Sequence, residues 1–426
     1  MMNNNCKPSQ KRAWYTVFIS AIIGCAMIST FPQFSMTVTE LSAKSGLSES
    51  VLLTSDTIKS IGIVLGMMSS GFLYNRFGAK KVFIFSVSVM VIPQFILPMT
   101  SQVWLLMLLK IVQGLSGACF PVFLSMIMEW VDKRHAGIST ATFNGIFYAG
   151  GGLGGTLAGF IIANSNWQSS YYVISIILIV LSIIWIATVK EKPNEVEERE
   201  TSIIHSTSEK AAEKSVEISD DKISGKTNLL FTGRIWLLAI SLIATTWVVQ
   251  AISVDMPVYT ESLGYSEVET GKILTAVSIG ILVSCLVSGK TSDFFAARSE
   301  RKDIFRLMVL VLGYVITIAA VLFLILSDTQ NIIIIYIAAL LLTFGGAWGF
   351  GSFYSVLPEI YDQKSVPIVT GITGGIGDAG MPFAPLVVGV IFGIKGMWEI
   401  GWITCAIVAG ISIISTLILA ATLKRD

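Results

Sequence analysis

The sequence predicts an all-α membrane protein with twelve transmembrane helices in two pseudo-symmetric six-helix bundles. Three observations lead to this prediction: an apolar composition, a regular series of long apolar runs, and features of the first half that recur in the second. Of the 426 residues, 53% are hydrophobic and 13% are charged, which is about half the charged fraction of an average soluble domain. The mean hydropathy of +0.74 agrees with a chain solvated largely by lipid.

Twelve apolar runs are long enough to cross a bilayer, because a spanning helix needs roughly 20 mostly apolar residues. The first six lie near 14–38, 51–73, 82–100, 103–129, 136–163 and 170–189. The second six lie near 232–258, 270–289, 304–326, 331–357, 366–394 and 398–422.

The two sets of apolar runs are separated by a charged segment, residues 190–228, which holds seven Lys/Arg and ten Asp/Glu. This segment has too few large apolar residues to span a membrane or to form a core. We therefore expect an N-terminal bundle over 1–189, a flexible cytoplasmic linker over 190–228, and a C-terminal bundle over 229–426.

Lysine and arginine lie mainly on one side of the predicted spans. If both termini are cytoplasmic, the cytoplasmic segments hold 24 of the 29 basic residues. The outer loops hold Lys44, Lys272 and Lys395, and the spans hold Lys59 and Lys110. By the positive-inside rule, this asymmetry predicts a multi-pass protein of the cell (inner) membrane with both termini in the cytoplasm.

The sequence lacks the motifs that mark several classes of function. The chain has no nucleotide-binding loop, GxSxG or HExxH motif, so we do not expect an enzyme. The net charge of +1 argues against nucleic acid as a partner, and the five cysteines have no metal-ligand spacing, so we expect no metal and no cofactor. The expected partners are the lipid bilayer, a small solute and, if transport is proton-coupled, protons. We expect a monomer.

The second and eighth spans both end in a glycine-led polar turn. The first turn reads Gly71-Phe-Leu-Tyr-Asn75-Arg76-Phe-Gly78, and the second reads Gly289-Lys-Thr-Ser-Asp293. The fifth and eleventh spans are also alike, since both are rich in small residues four apart, a spacing that allows close helix packing in lipid. Matching features in two sets of six helices are typical of a transporter built from repeats.

The turn Gly71-x3-Asn75-Arg76-x-Gly78-x-Lys-Lys resembles the loop signature of the major facilitator superfamily. Lys110-x-x-Gln113-Gly in the fourth span resembles a second motif of that family. The resemblance implies two six-helix bundles around a central cavity that work by alternating access. It implies that the first, fourth, seventh and tenth spans line the cavity, and that the second, fifth, eighth and eleventh join the halves.

Two positions depart from the family pattern. Asn75 stands where the family usually has Asp, so the ionic part of the implied cytoplasmic gate is lost while hydrogen bonding is retained. Lys110 replaces the usual Arg, which keeps the charge but loses the bidentate fork of the guanidinium. The gating residues implied by the motifs are Gly71, Asn75, Arg76, Gly78 and Asp293.

Five ionisable side chains within the predicted spans stand out as candidates: Asp56, Lys59, Lys110, Asp255 and Asp378. Each costs at least ~2.5–3.5 kcal/mol at the centre of a membrane helix, so each is expected to face protein or water. Asp56 and Lys59 share one helix face, which allows a local ion pair or a lysine that attracts an anion. Lys110, with Gln113 one turn below, is a candidate substrate contact.

No histidine lies in a predicted span, so Asp56 and Asp378, which lies near the middle of the eleventh span, are the leading candidate proton carriers. Asp255 is a further candidate for coupling or gating. Because the second and eleventh spans are implied to meet, we predict that Lys59 pairs with Asp378 in one state and releases it in another. A permanent bridge between the halves is the alternative. For Asp255, near the outer end of the seventh span, and for Glu359, at the end of the tenth, the simpler interpretation is solvation at the membrane interface.

Polar and aromatic residues on the remaining inner helices are candidates for the substrate pocket, although any one of them can instead face lipid or serve packing. These candidates are Gln33, Asn144, Tyr148, Trp247, Gln250, Trp348 and Tyr354.

The favoured function is a secondary active transporter for a small organic anion such as a carboxylate, working by proton coupling or by exchange. Two buried lysines support an anion, as does a general likeness to the family's organic-anion and monocarboxylate carriers. The alternative is proton-driven efflux of drugs or other amphiphiles, which buried acids and an aromatic cavity would suit. A neutral or zwitterionic solute is also compatible with the sequence.

Overall fold

The computed structural model describes residues 10–190, 232–393 and 398–424, apart from a few side chains within helices, among them that of Asp56. The predicted linker 190–228 lies almost wholly outside the described residues, and so do both chain ends. Every regular element in the described ranges is a helix.

Ten helical segments among the described residues are long and apolar enough to cross a membrane. They are Gln10–Met36, Ala79–Met99, Val103–Trp130, Lys133–Asn164, Trp167–Thr188, Gly233–Ser262, Glu269–Ala296, Lys302–Leu326, Ile332–Ile360 and Trp398–Leu423. Two further segments complete the series. One is the helix Glu49–Phe77, and the other is the pair of helices Val366–Gly377 and Gly380–Gly393. The twelve segments match the predicted spans in order and are numbered first to twelfth here.

The first six spans pack on one another, as do the last six. The two halves meet where the second span packs on the eleventh and the fifth packs on the eighth. The expected contact between the halves is therefore confirmed. The face of the protein at which the first span begins and the twelfth ends is called the terminal face below.

Along the contact of the second and eleventh spans, the halves are joined mainly toward the terminal face. The part of the eleventh span nearer that face, Val366–Gly377, packs on the second span. The remaining part, Gly380–Gly393, packs mainly on the seventh and twelfth spans of its own half. A Cβ on Gly71 would collide with the backbone of Ile368, so glycine is what allows the two spans this close an approach. The structure is thus closed at the terminal face.

Several spans are interrupted, although the sequence pattern predicted continuous helices. The first span consists of the helices Gln10–Ile28, Thr30–Met36 and Val38–Ser45. The fourth tightens into a 3₁₀ turn over Leu115–Ala118, and the eleventh breaks at Asp378. Hydropathy cannot reveal these breaks because the flanking residues remain apolar. Interruptions of this kind free backbone and polar side chains at membrane depth, where transporters bind their solutes.

Within the first half, the second and fourth spans cross at two glycines. A Cβ on Gly114 would collide with the carbonyl oxygen of Lys59 and would lie 2.8 Å from the Cα of Gly62. The crossing therefore requires glycine, and it fixes the relative positions of the helices that carry Lys59 and Lys110.

We predict that Gly114→Ala lowers the melting temperature of the purified protein, since overpacking a tight contact costs roughly 1–3 kcal/mol. Gly151→Ala in the fifth span is the matched control, because a Cβ there meets nothing within 4 Å. Melting in detergent, followed by tryptophan fluorescence, measures both variants. Equal melting temperatures for the two variants would contradict the proposed close crossing.

Candidate functional site

The break in the first span presents two phenylalanine rings to two buried lysines. The Nζ of Lys59 lies 3.4 Å from the ring centroid of Phe31, and the Nζ of Lys110 lies 2.9 Å from that of Phe34. Phe31 and Phe34 are three residues apart, so they share a helix face. The electron-rich faces of the rings attract the ammonium groups. Both lysines therefore contact the same face of the helix Thr30–Met36 of the first span.

Both lysines are only 1% exposed. They are brought near one another by the crossing of their helices at Gly62 and Gly114. Burial removes much of the hydration of both ammonium groups. Both lysines lie in the half of the second and fourth spans away from the terminal face. The side chain of Asp56, one turn from Lys59, lies outside the described residues.

Three glutamines form a chain of hydrogen bonds beside the lysines. Gln113 Nε2 donates to Gln94 Oε1 at 2.7 Å, and Gln94 Nε2 donates to Gln33 Oε1 at 2.5 Å. Gln33 Nε2 then donates to the hydroxyl of Ser170 at 3.2 Å. The chain crosses the fourth, third, first and sixth spans. Gln94 was missed by the sequence analysis, although a glutamine inside an apolar run was a usable signal.

A second polar cluster lies where the tenth and eleventh spans meet the fifth. The rings of Tyr148 and Phe350 stack at 3.9 Å between centroids, and Asn144 Nδ2 donates to the carbonyl of Phe350 at 2.6 Å. The carboxylate of Asp378 lies close enough to Tyr148 and Tyr354 to interact with both electrostatically. The structure thus brings together three predicted pocket residues and the predicted proton carrier.

Asp378 forms no ion pair with Lys59 among the described residues, and its Oδ1 has no hydrogen-bond partner there. Asp378 is 8% exposed, so a carboxylate is held in the interior without a described cation. The predicted alternation of Lys59 and Asp378 between a paired and a released state stays a prediction.

Other predicted pocket residues are not brought to this region. Trp348 packs against Gly313 of the ninth span and donates its indole N–H to Val309 at 2.8 Å, so it serves packing within its own half. Trp247 and Gln250 on the seventh span are half-buried, and no described contact links them to the lysines.

The interpretation of Asp255 as solvated at the membrane interface is wrong for this structure. Asp255 is 4% exposed and lies near Cys405 of the twelfth span. The seventh and twelfth spans pack along their length, and this packing covers the carboxylate. Asp255 therefore lies inside the second half, apart from the lysines.

At the terminal face, Asp293 of the eighth span joins the halves. Its two carboxylate oxygens each accept a bond of 2.8 Å, from the backbone N–H of Gly137 and of Ile138. These groups belong to the first turn of the fifth span, where unpaired N–H groups and the helix dipole favour an anion. Arg306, 1% exposed, contacts Asp293 at 3.0 Å and Glu359 at 3.6 Å.

Arg306 was missed by the sequence analysis because it lies in the first turns of the ninth span, among residues assigned to the interface. Its pairing also corrects the interpretation of Glu359, whose side chain is only 13% exposed and is paired with a buried cation rather than solvated freely. The signal available in the sequence was a lone Arg inside an otherwise apolar helix.

At the other contact between the halves, the turn after the second span bonds to the loop before the eleventh span. Asn75 Nδ2 donates to the carbonyl of Lys364 at 3.0 Å, a neutral hydrogen bond in place of the ionic contact implied by the family. Gly78 has φ +81°, a conformation that favours glycine. Arg76 is exposed and lies 5.2 Å over the ring of Phe77.

A cavity of about 340 Å³ lies between the halves at the terminal face. Its lining includes Glu129, Lys133 and Asp362, at the opposite end of the fourth span from Lys110. Burial raises the pKa of Tyr361 in this lining to about 12, so its hydroxyl remains protonated at neutral pH.

We predict that Asp293→Asn opens the terminal face, because each hydrogen bond to a charged group contributes roughly 1.5–3 kcal/mol. Spin labels at Arg134 and Arg298, both exposed and on opposite halves, are expected to show a population at longer distance. The matched control is Asp303→Asn, whose partner Arg301 lies in the same half. An unchanged distance distribution in Asp293→Asn would show that the contact does not hold the face closed.

A sequence model of the Major Facilitator Superfamily matches residues 16–302 of the chain. The probable galactarate/D-glucarate transporter GudP of Bacillus subtilis is 22% identical over 433 residues, covering 97% of this chain and 92% of that protein. The nitrite extrusion protein of Bacillus subtilis is 24% identical, with 83% and 81% covered. The vesicular glutamate transporter 3 of Danio rerio is 22% identical, with 86% and 63% covered.

Two solved structures share the fold. A crystal structure of a double-tryptophan XylE variant aligns with a TM-score of 0.74 at 16% identity, over 96% of this chain and 95% of that chain. The human organic anion transporter MFSD10 (TETRAN) aligns with a TM-score of 0.67 at 11% identity, over 97% and 100%. The predicted architecture of two six-helix bundles is confirmed.

Proposed function

The chain belongs to the Major Facilitator Superfamily, and from this premise we propose that it moves a small organic anion, a carboxylate, across the membrane by alternating access. The observation that carries the proposal is the convergence of Lys59 and Lys110 on the Phe31–Phe34 face of the first span.

The two buried ammonium groups can each donate charge-assisted hydrogen bonds to an anion. A carboxylate that reaches Lys59 and Lys110 would accept such bonds from both of them. The breaks in the first and fourth spans lie beside the lysines, and a rocking motion of the halves moves these helices relative to the second half. Binding of the anion and movement of the halves are thereby linked.

The names of several relatives support an anionic substrate. They include a probable galactarate/D-glucarate transporter, a nitrite extrusion protein and a vesicular glutamate transporter. Because the anions in these names differ in size, the property that they share is negative charge. A cationic drug, the alternative from the sequence, would be repelled by two buried lysines, so efflux of cationic amphiphiles is the weaker proposal.

We further propose the orientation and organisation predicted from the sequence. The basic residues assign the terminal face to the cytoplasm, so the structure would be closed to the cytoplasm. Residues 1–189 and 229–426 would form the two bundles, joined by a cytoplasmic linker over 190–228, in a monomer of the inner membrane.

The first experiment compares Lys59→Gln and Lys110→Gln with the wild type in a thermal-shift screen against glucarate, glutamate, nitrite and ethidium. We expect the wild type to be stabilised by at least one anion. Each lysine variant should bind that anion roughly 10- to 100-fold more weakly, the factor expected for one hydrogen bond to a charged group.

The matched control is Lys272→Gln, an exposed lysine outside the site, which should bind as the wild type does. Size-exclusion chromatography verifies that each variant is folded. Stabilisation by ethidium alone, or anion binding unchanged in both lysine variants, would refute the anion site.

For coupling, we propose that Asp378 carries a proton and alternates with the substrate as the partner of Lys59. In proteoliposomes, Asp378→Asn is then expected to lose accumulation of the anion driven by a pH gradient while retaining exchange of internal for external anion. The control is Asp328→Asn, an exposed carboxylate. Gradient-driven accumulation that persists in Asp378→Asn would remove Asp378 from the coupling mechanism.

A further inference from the structure

The glutamine chain beside the lysines has a direction, and one serine fixes it. An amide side chain presents either its oxygen or its nitrogen at a given place, and the neighbouring hydrogen bonds decide which. Along Gln113, Gln94 and Gln33, each nitrogen donates to the next oxygen. If one amide alone turned over, two N–H donors or two acceptor oxygens would face each other at its contacts. The three amides must therefore turn over together.

Ser170 stands at the end of this chain. Its hydroxyl has one proton, which it donates to the carbonyl oxygen of Trp167 at 2.6 Å. It can therefore only accept from Gln33, whose Nε2 lies at 3.2 Å. Reversing the chain would require Ser170 to donate to Gln33 and to abandon the Trp167 carbonyl. Ser170 thus favours the orientation that the structure shows.

The other end of the chain is Gln113, and it presents an oxygen. Gln113 is 1% exposed, and its Oε1 has no hydrogen-bond partner among the described residues. A buried acceptor without a donor costs roughly 1–3 kcal/mol. Gln113 lies one turn from Lys110 on the fourth span, and Gln33 lies between Phe31 and Phe34, the two rings that the lysines contact.

From this arrangement we infer that Gln113 Oε1 is a hydroxyl-accepting subsite, that Ser170 positions it through Gln33 and Gln94, and that the preferred substrate is therefore a hydroxylated carboxylate. The inference rests on the proposed anion site. The lysines recognise the carboxylate, and the Gln113 oxygen requires a donor that a simple alkyl carboxylate lacks. A binding site whose buried acceptor must be satisfied by a substrate hydroxyl binds an analogue without that hydroxyl more weakly.

The test measures binding to the full-length purified protein by isothermal titration calorimetry with matched pairs of anions. Each pair has the same carbon chain and charge and differs in hydroxyl groups: glucarate and adipate, gluconate and hexanoate, malate and succinate. We expect the hydroxylated member of at least one pair to bind more tightly. Gln113→Met should lower that preference roughly three- to tenfold, the value of one hydrogen bond, with affinity for the unhydroxylated member unchanged.

Ser170→Ala provides the test of positioning. Without the serine, both orientations of the amide chain have equal numbers of hydrogen bonds, so about half of the molecules present the Gln113 oxygen. The preference should fall about twofold, again without a change for the unhydroxylated anion. Ser175→Ala on the same span, whose hydroxyl donates to Tyr171 outside the chain, and Gln330→Met at an exposed site are the controls.

The outcomes separate the two proposals. Equal affinity for both members of every pair, with lysine-dependent binding, overturns the hydroxyl subsite and leaves the anion site standing. A preference that survives Gln113→Met also overturns the subsite. If no anion of any pair binds to the wild type, both the subsite and the proposed transport function for organic anions are contradicted.

Discussion

The structure of the first half depends on keeping two ammonium groups inside a membrane. Lys59 and Lys110 lie on helices that cross at paired glycines, and each ammonium group lies against a phenylalanine ring of the first span. A lysine at the membrane centre is costly, and an aromatic face offsets only part of that cost. The crossing, the break in the first span and the glutamine chain all surround these charges, which is why we regard them as the centre of the site.

The two halves carry different chemistry. The first half holds both buried lysines and the amide chain, whereas the second holds the buried carboxylates of Asp255 and Asp378. Asp378 meets Tyr148 of the first half, while Asp255 is enclosed by its own half. In the proposed mechanism, Asp378 of one bundle and a negatively charged solute alternate as partners of Lys59 in the other bundle as the bundles rock.

Much of this architecture was predictable from the sequence because lipid imposes length and composition on every span. The twelve runs and the repeat follow from hydropathy and small-residue spacing, whereas the contact between the halves was implied by the resemblance to the major facilitator superfamily. The burial of Lys59 and Lys110 was also predictable, because a charged side chain in the middle of an apolar span must face protein or water rather than lipid. The helix breaks did not follow, because they depend on contacts with other spans. Gln94 and Arg306 gave a signal as polar residues in apolar runs, but the sequence does not show their partners on distant spans. Trp348 looked like a pocket residue because composition cannot tell one helix face from another.

The contact of Asp293 with the fifth span makes the closed face unequal at its two edges. At the edge between the fifth and eighth spans, the carboxylate of Asp293 accepts hydrogen bonds from two backbone amides and pairs with the buried Arg306. At the edge between the second and eleventh spans, the side chain of Asn75 forms a neutral hydrogen bond. The two edges therefore differ in chemistry, and a change of charge at Asp293 would act on one edge of the closed face without acting directly on the Asn75 bond of the other.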